Sequence, residues 1–309
     1  MTHLLAMVAQ RSRWTCSCVR LSRAWHSNSM TPGTGYALGA MVCYGLGDFI
    51  FKRSAANGVK PLHFLTAQAW VFCPLSFLYA AVTGNIVLGI GTLWGGLAGL
   101  FILIGFNAFL RSLATGPVSI NAPIFRLSFL ITAALAVVVL GEPVTAAKLA
   151  GLALALVAIW LLLGGSAHGA LSRQSLVQVG IATVALGFGN FCHKMGLHFG
   201  ATPETGVAAQ AAVFCSLTTL ITLVGDRGYR LPRATWKHSV PAALVLLCAF
   251  LLLLHALAVG PASILVPIAQ MGFIVTAGLG VVLLGEALTP RKLIGLTAAI
   301  AALAALAWT

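Results

Sequence analysis

Long apolar runs fill most of this 309-residue chain, and they restrict its fold more than any other feature of the sequence. Hydrophobic residues make up 60% of the chain and charged residues only 7%. The runs are about 20 residues long, which is the length that crosses a bilayer. Hydrocarbon offers the backbone no hydrogen-bond partners, and the runs are too continuous for barrel strands. We therefore predict an all-α polytopic membrane protein with ten transmembrane helices, at about residues 34–53, 62–83, 88–110, 117–140, 145–164, 175–196, 204–225, 238–259, 261–284 and 289–308.

The second half of the chain repeats the first, as paired motifs show. AQAWVFC at 67–73 returns as AQAAVFC at 209–215, and LGEPVTAAKLAGL at 140–152 returns as LGEALTPRKLIGL at 284–296. Each LGE ends one helix, and we expect its glutamate to stabilise the start of the next. Each copy holds five predicted spans, an odd number, so the second copy enters the membrane from the opposite side. The sequence thus predicts two inverted five-helix repeats related by a pseudo-two-fold axis in the membrane plane, an architecture typical of transporters.

The paired motifs also divide the chain. We expect a tail at 1–30, a first repeat at 31–165, a linker at 166–174 and a second repeat at 175–309. The tail is rich in arginine and serine and has no acidic residue. It is compatible with a transit peptide, a cytosolic tail, or upstream sequence before a start at Met30. We favour the last, because the residues after Met30 lead directly into the first span.

The net charge of +13 does not indicate nucleic-acid binding, because the basic residues are scattered over short loops between apolar helices. They concentrate in the odd-numbered loops, which by the positive-inside rule predicts that those loops face the cytoplasm and both termini face outside. Cysteines within the apolar runs are explained by packing. The sequence carries no catalytic motif, metal-ligand set or cofactor fingerprint, so we predict a protein that is not an enzyme and has no metal or cofactor.

Arg126 lies deep in the fourth predicted span, where an arginine is costly unless it is paired or wetted. The equivalent position in the second repeat is Gln270, and both residues follow a proline by three positions, near a predicted kink. Asp48 is the expected partner of Arg126, because the other acidic residues fall in or beside connections: Glu142, Glu204, Asp226 and Glu286. Two interpretations remain open. Arg126 belongs to a buried pair that holds helices together, or it binds a substrate group in a cavity.

Asp48 also lies four residues before Lys52 and shares its helix face, so a local ion pair near the interface is the alternative. The equivalent positions in the sixth span carry Asn190 and Lys194, so the carboxylate is present in one repeat only. Such asymmetry is what a proton- or ion-coupling site would show. Because Lys52, Lys194 and Arg126 bias the expected cavity positive, we expect a small polar, anionic metabolite as substrate.

Gln68 and Gln210 occupy equivalent positions in the second and seventh spans. Interhelical hydrogen bonding explains one such glutamine, but two at equivalent positions, with Asn107 and His255 nearby, are typical of two walls of one polar cavity. Anchoring at the membrane interface is the alternative for His255, which lies toward the end of its span. The predicted substrate-binding set is therefore Arg126, Gln270, Asp48, Asn190, Lys52, Lys194, Gln68, Gln210, Asn107 and His255.

The paired LGE corners, GPVSINAPI and GPASILVPI at the start of the fourth and ninth spans, and GLGDFIFKRSA in the first span resemble the EamA-type transporters of the drug/metabolite transporter superfamily. The order and duplication of the motifs carry this resemblance. It implies a ten-helix secondary transporter, in the inner membrane of a bacterium, that moves a small metabolite by alternating access through a central cavity. It specifies neither substrate nor oligomeric state. The alternatives are an intramembrane lipid-processing enzyme, disfavoured because no nucleophile or metal set is present, and a non-transporting scaffold, disfavoured by the paired polar positions.

Overall fold

The computed structural model describes residues 31–115, 121, 124–163, 172–225, 231–284 and 290–308, and no strand occurs among them. The all-α prediction is confirmed for these residues, whereas the predicted tail and most of the predicted linker lie outside them. The helices are α1 (Thr34–Ala56), α2 (Pro61–Thr83), α3 (Ile90–Thr115), α4 (Ser128–Leu140), α5 (Ala146–Leu163), α6 (Arg173–His198), α7 (Pro203–Gly225), α8 (Arg233–Val259), α9 (Ala262–Gln270), α10 (Phe273–Leu284) and α11 (Pro290–Ala307).

Within the described residues, five helices are long and apolar enough to cross a bilayer. They are α2, α3 over Ile90–Ser112, α6, α7 and α8, which correspond to the second, third, sixth, seventh and eighth predicted spans. The first predicted span corresponds to α1, a helix of 23 residues. Shorter apolar helical segments cover the fourth, fifth, ninth and tenth: Ile124–Leu140, Ala146–Leu161, Ala262–Thr276 and Leu293–Ala307.

The ninth predicted span, 261–284, is interrupted near its predicted kink and consists of two helices, α9 and α10. Between α9 and α10 the backbone makes tighter, three-residue hydrogen bonds, from Met271 N to Ile268 O (3.1 Å) and from Ile274 N to Met271 O (3.0 Å). Pro267 lies inside α9, just before the interruption. Because proline has no N–H and crowds the preceding turn, it weakens the helix at this place.

The fourth span is interrupted at the equivalent position. A turn at Leu127 separates helical residues 124–126 from α4, with the same three-residue pattern from Leu127 N to Ile124 O (3.0 Å) and from Leu130 N to Leu127 O (2.9 Å). The residue immediately before each interruption is one that the sequence singled out, Arg126 in the first repeat and Gln270 in the second. Discontinuous helices of this kind point backbone and side-chain polar groups toward the midplane of transporters.

Each interrupted span is held by a helix of the other repeat through the same contact. Thr276 Oγ1 donates to the carbonyl oxygen of Gly45, and Thr132 Oγ1 donates to that of Gly187, both at 3.0 Å. Gly45 and Gly187 are equivalent positions, as are the two threonines. The approach is so close that a Cβ on Gly45 would lie 2.5 Å from the carbonyl oxygen of Gly272. These matched contacts, α1 on α10 and α6 on α4, confirm the predicted inverted repeat.

The two repeats interlock rather than pack as separate units. The most extensive helix interfaces all cross between them: α3 packs against α6 and α7, α2 against α7 and α8, α1 against α8, and α5 against α11. The shared core is built from small and branched apolar side chains together with phenylalanines such as Phe129, which is 1% exposed. Van der Waals packing of such side chains is what holds helices together in lipid. Any site near the middle of the protein is therefore lined by residues of both repeats.

Candidate functional site

Arg126 is buried at the centre of the helices and is bonded on two sides. Its side chain is 7% exposed, and Nη1 donates to Gln270 Oε1 at 2.7 Å. Nη2 forms a salt bridge with the carboxylate of Asp48 on α1, whose side chain is 27% exposed. The expected pairing of Arg126 with Asp48 is confirmed, whereas a role of either residue in substrate binding stays a prediction.

The contact between Arg126 and Gln270 locates the pseudo-two-fold axis. These residues are equivalent, so two positions that exchange under the symmetry touch each other, and the axis passes between them. Asp48 lies on one side of this pair, and its equivalent Asn190 lies on α6, 1% exposed. Neither polar atom of the Asn190 side chain has a hydrogen-bond partner among the described residues. The centre is thus charged but neutralised in one repeat and uncharged in the other.

A cavity beside this centre is lined by equivalent residues from both repeats. Its volume is about 20 Å³, room for about one water molecule in this conformation. Gln68 and Gln210 face it from α2 and α7, and each leaves its side-chain oxygen without a hydrogen-bond partner in the described part of the chain. The structure therefore brings the two glutamines together around one cavity. The lining residues form the pairs Gln68 and Gln210, Phe72 and Phe214, Ile102 and Leu246, and Phe106 and Phe250, together with Ala69.

Aromatic rings connect the cavity to the charged centre, because Phe106 in the cavity lining packs 5.8 Å from Phe125, whose ring lies 5.9 Å from the Arg126 guanidinium. Phe250 lines the cavity and packs edge-on against Tyr44, at 5.7 Å between ring centroids, and against Phe72 at 6.0 Å. His193 on α6 lies 6.0 Å from the same ring and close to Gln210, so a further polar side chain adjoins the aromatic lining.

Sequence reasoning missed the aromatic lining. In a chain that is 60% hydrophobic, a phenylalanine carries no contrast with its neighbours. The usable signal was equivalence, because Phe72 and Phe214 stand at matching positions of the two repeats, as do Phe106 and Phe250. Paired aromatic positions could therefore have been identified in the same way as the paired glutamines.

Lys194, one of the two predicted lysines, does not line the cavity. Lys194 Nζ donates to the carbonyl oxygens of Leu257 and Gly260, each at 2.7 Å, and so stabilises the C-terminal end of α8. This geometry engages the ammonium group with backbone rather than with the space between the glutamines. The side chain of Lys52 lies outside the described residues.

The remaining predicted residues lie farther along the helices. Asn107 is half-buried on α3. The Nδ1 atom of His255 lies 2.8 Å from the carbonyl oxygen of Leu251, and its Nε2 lies 3.6 Å from a carboxylate oxygen of Glu204. Glu204, expected in or beside a connection, lies beside one in the first turn of α7 and is 5% exposed. His255 also packs against Tyr36 at 5.8 Å, so it belongs to a helix-end cluster.

Glu142 holds the start of a helix in the other repeat, which corrects the expectation that it serves the helix following its own. Its carboxylate accepts the backbone N–H groups of Ala262 (2.7 Å) and Ser263 (3.0 Å) at the first turn of α9, and also the Ser263 hydroxyl. Lys148 Nζ donates to the same hydroxyl oxygen at 2.7 Å. Anions are favoured at this position because the first N–H groups of a helix are unpaired and its dipole is positive there. We call Glu142, Lys148 and Ser263 the Glu142 latch.

Comparisons with known proteins agree with this architecture. The family model described as the EamA-like transporter family matches residues 31–164 and again residues 175–308. A search of curated protein sequences finds no match. One solved crystal structure, whose title names no activity, superposes with a TM-score of 0.76 over 88% of this chain and 97% of that chain, at 15% sequence identity. This likeness shows a shared fold.

Proposed function

This chain belongs to the EamA-like transporter family, and from that premise we propose that it carries a small polar metabolite across the membrane by alternating access. It is a multi-pass membrane transporter of the drug/metabolite transporter superfamily. The observation that carries the finer proposal is the cavity on the pseudo-two-fold axis, lined by equivalent residues of both repeats. Inverted-repeat transporters place the substrate at the repeat interface, where either side of the membrane can reach it in turn.

We propose that the chain crosses the membrane ten times. The described helices α1 to α3 and α5 to α8 supply seven of them, and α11 supplies the last. Each interrupted segment counts as one further span, because its two parts follow one another along the chain without an intervening loop: α9 with α10, and residues 124–126 with α4. Interrupted helices are tolerated in a membrane where their free backbone groups line a cavity.

The described charges favour a substrate without net charge over the anionic one that the sequence suggested. Asp48 neutralises Arg126, and the ammonium group of Lys194 is bonded to backbone carbonyls. The cavity itself is lined by two carboxamides and by apolar side chains, four of them phenylalanines. An anion would have to displace Asp48 from Arg126. A neutral or zwitterionic metabolite with hydrogen-bond donors for Gln68 and Gln210, and an apolar part for the rings, needs no such displacement and would bind in a state of the cycle in which the cavity is wider.

The Glu142 latch supports alternating access. It joins positions of the two repeats that are not equivalent to each other, since the positions equivalent to Glu142 and Ser263 are Glu286 and Ser119. When two inverted repeats exchange conformations, each contact is replaced by the contact between the equivalent residues. The contact of Glu142 with Ser263 is then replaced by one of Glu286 with Ser119, so it is present in only one of the two states. The latch therefore closes one state of the cycle and opens in the other. Contacts between equivalent positions, such as Arg126 with Gln270, map onto themselves and persist.

Uptake into proteoliposomes tests the cavity. We would measure a panel of labelled neutral, zwitterionic and anionic metabolites with the wild type and with Gln68→Ala and Gln210→Ala. Each substitution removes one hydrogen-bond acceptor from the cavity, so we expect a loss of about 3- to 10-fold in the rate of the accepted substrate. Gln174→Ala, at an exposed position of α6, is the matched control and should transport normally. Wild-type rates in both cavity variants, with normal folding, would show that the substrate does not bind between the glutamines.

A further inference from the structure

Two cysteines meet where the repeats cross. Cys73 on α2 and Cys215 on α7 stand at equivalent positions, are both half-buried and free, and are neighbours across the contact between the two helices. Each follows a cavity phenylalanine, Phe72 or Phe214. As with Arg126 and Gln270, contact between equivalent positions places the pair on the pseudo-two-fold axis.

The register of α2 and α7 fixes this meeting. Thr66 Oγ1 lies 2.8 Å from Thr222 Oγ1, and Trp70 Nε1 donates to Thr219 Oγ1 at 3.1 Å. Thr66 precedes Cys73 by seven residues and Thr222 follows Cys215 by seven, which is about two helical turns in each case. The two helices therefore run antiparallel with these residues on facing sides, and the thiols are brought together by backbone packing as well as by side-chain orientation.

We propose that Cys73 and Cys215 are a site of reversible thiol oxidation that closes an intramolecular disulfide between α2 and α7. Both S–H bonds break and one S–S bond forms. The two protons and two electrons pass to a two-electron oxidant, for which diamide serves as the probe. Its N=N bond accepts both hydrogens and becomes a hydrazine. A dithiol reductant reverses the reaction by thiol–disulfide exchange.

The position of the pair determines what the disulfide does to the transport cycle, a consequence that rests on the proposed function. When the two repeats exchange conformations, Cys73 takes the environment of Cys215 and Cys215 takes that of Cys73. The two cysteines therefore remain in contact in both states. A bond there is compatible with both end states. The disulfide therefore links the two repeats covalently at their axis and still allows them to exchange conformations.

The test uses the purified chain with a protease site inserted between positions 165 and 172, before α6 begins at Arg173. After diamide treatment, alkylation of free thiols and cleavage, the two halves should migrate together on a non-reducing gel and separate when reduced. Cys73→Ser and Cys215→Ser should each abolish the link. Cys43 and Cys248 are a second pair of neighbouring cysteines from different repeats, so the double variant Cys43→Ser/Cys248→Ser is the matched control and should keep the link.

Separation of the halves after oxidation of the wild type, or a link that survives Cys73→Ser in the Cys43→Ser/Cys248→Ser background, overturns the site. Mass spectrometry of the oxidised wild type makes the test independent of variant folding, because it must find a peptide joining Cys73 to Cys215. In proteoliposomes the oxidised protein should retain transport within about twofold of the reduced protein. If the protein is fully linked and no longer transports, the disulfide is not compatible with both end states, although the Cys73–Cys215 oxidation site is still supported. Absence of transport in both forms counts against the proposed function instead.

Discussion

Replacing both members of the ion pair between Asp48 and Arg126 should destabilise the protein less than replacing either one alone. Asp48→Asn leaves the Arg126 guanidinium without a counter-charge while its side chain is 7% exposed. Removing one partner of a buried pair costs about 3–5 kcal/mol. Arg126→Gln leaves the Asp48 carboxylate, whose side chain is 27% exposed, so solvent offsets part of the loss. We expect roughly 1–3 kcal/mol for that variant.

The double variant Asp48→Asn/Arg126→Gln reproduces in the first repeat what the second already contains, since the equivalent residues are Asn190 and Gln270. Neither position then carries a charge, and carboxamides can hydrogen-bond to one another. Additive losses would reach about 4–8 kcal/mol, whereas we expect about 1–2 kcal/mol for the double variant, and hence a coupling free energy of at least about 2 kcal/mol.

The assay is reversible unfolding in mixed micelles, with the free energy of unfolding measured for the wild type, both single variants and the double variant. Arg53→Gln, at an exposed position of α1, controls for the loss of one arginine and should change the free energy of unfolding by less than about 0.5 kcal/mol. Losses that simply add in the double variant would refute the reasoning, because they would mean that Asp48 and Arg126 do not stabilise each other.

Two further predictions follow from close packing and from the latch. Gly187→Ala should lower the free energy of unfolding by about 1–3 kcal/mol, because its Cβ would lie 2.7 Å from Ile131 Cβ; Gly180→Ala on the same helix meets nothing within 4 Å and should be neutral or stabilising by up to about 1 kcal/mol. Equal effects in the same unfolding assay would contradict this. Glu142→Gln should cost about 0.5–2 kcal/mol, since the carboxamide keeps only one acceptor oxygen for the start of α9. An unchanged unfolding midpoint would show that the cap does not stabilise the described state.

The sequence predicted positions better than contacts. The offset between the repeats identified Gln68 with Gln210 and Arg126 with Gln270, and the structure places each pair at the axis. The pairing with Asp48 was predictable as well, because the energetic cost of an arginine among apolar helices demanded a partner and few acids were available. These successes rest on residues whose polarity stands out against their surroundings.

Contacts between repeats could not be predicted in the same way. Glu142 holds the start of α9 rather than that of α5, and Lys194 bonds to the end of α8, because the interlocking of the repeats brings those helix ends to them. Aligning the two repeats in sequence shows which positions are equivalent. Which residues contact each other depends on how the helices cross, and the alignment does not give that. The interruption after Gln270 was indicated by Pro267 only as a kink, since its full extent depends on the close packing of Gly272 against α1.

Alternating access around the axis is tested most directly by locking the Glu142 latch. In Glu142→Cys/Ser263→Cys, a short bis-methanethiosulfonate crosslinker, which attaches to each thiol through a disulfide, should join the two positions, and uptake into proteoliposomes should stop and return on reduction. The wild type treated with the same reagent keeps only its native cysteines and should continue to transport. Uptake by the crosslinked variant at the rate of the reduced variant would contradict the account, because the latch would then stay closed throughout the cycle.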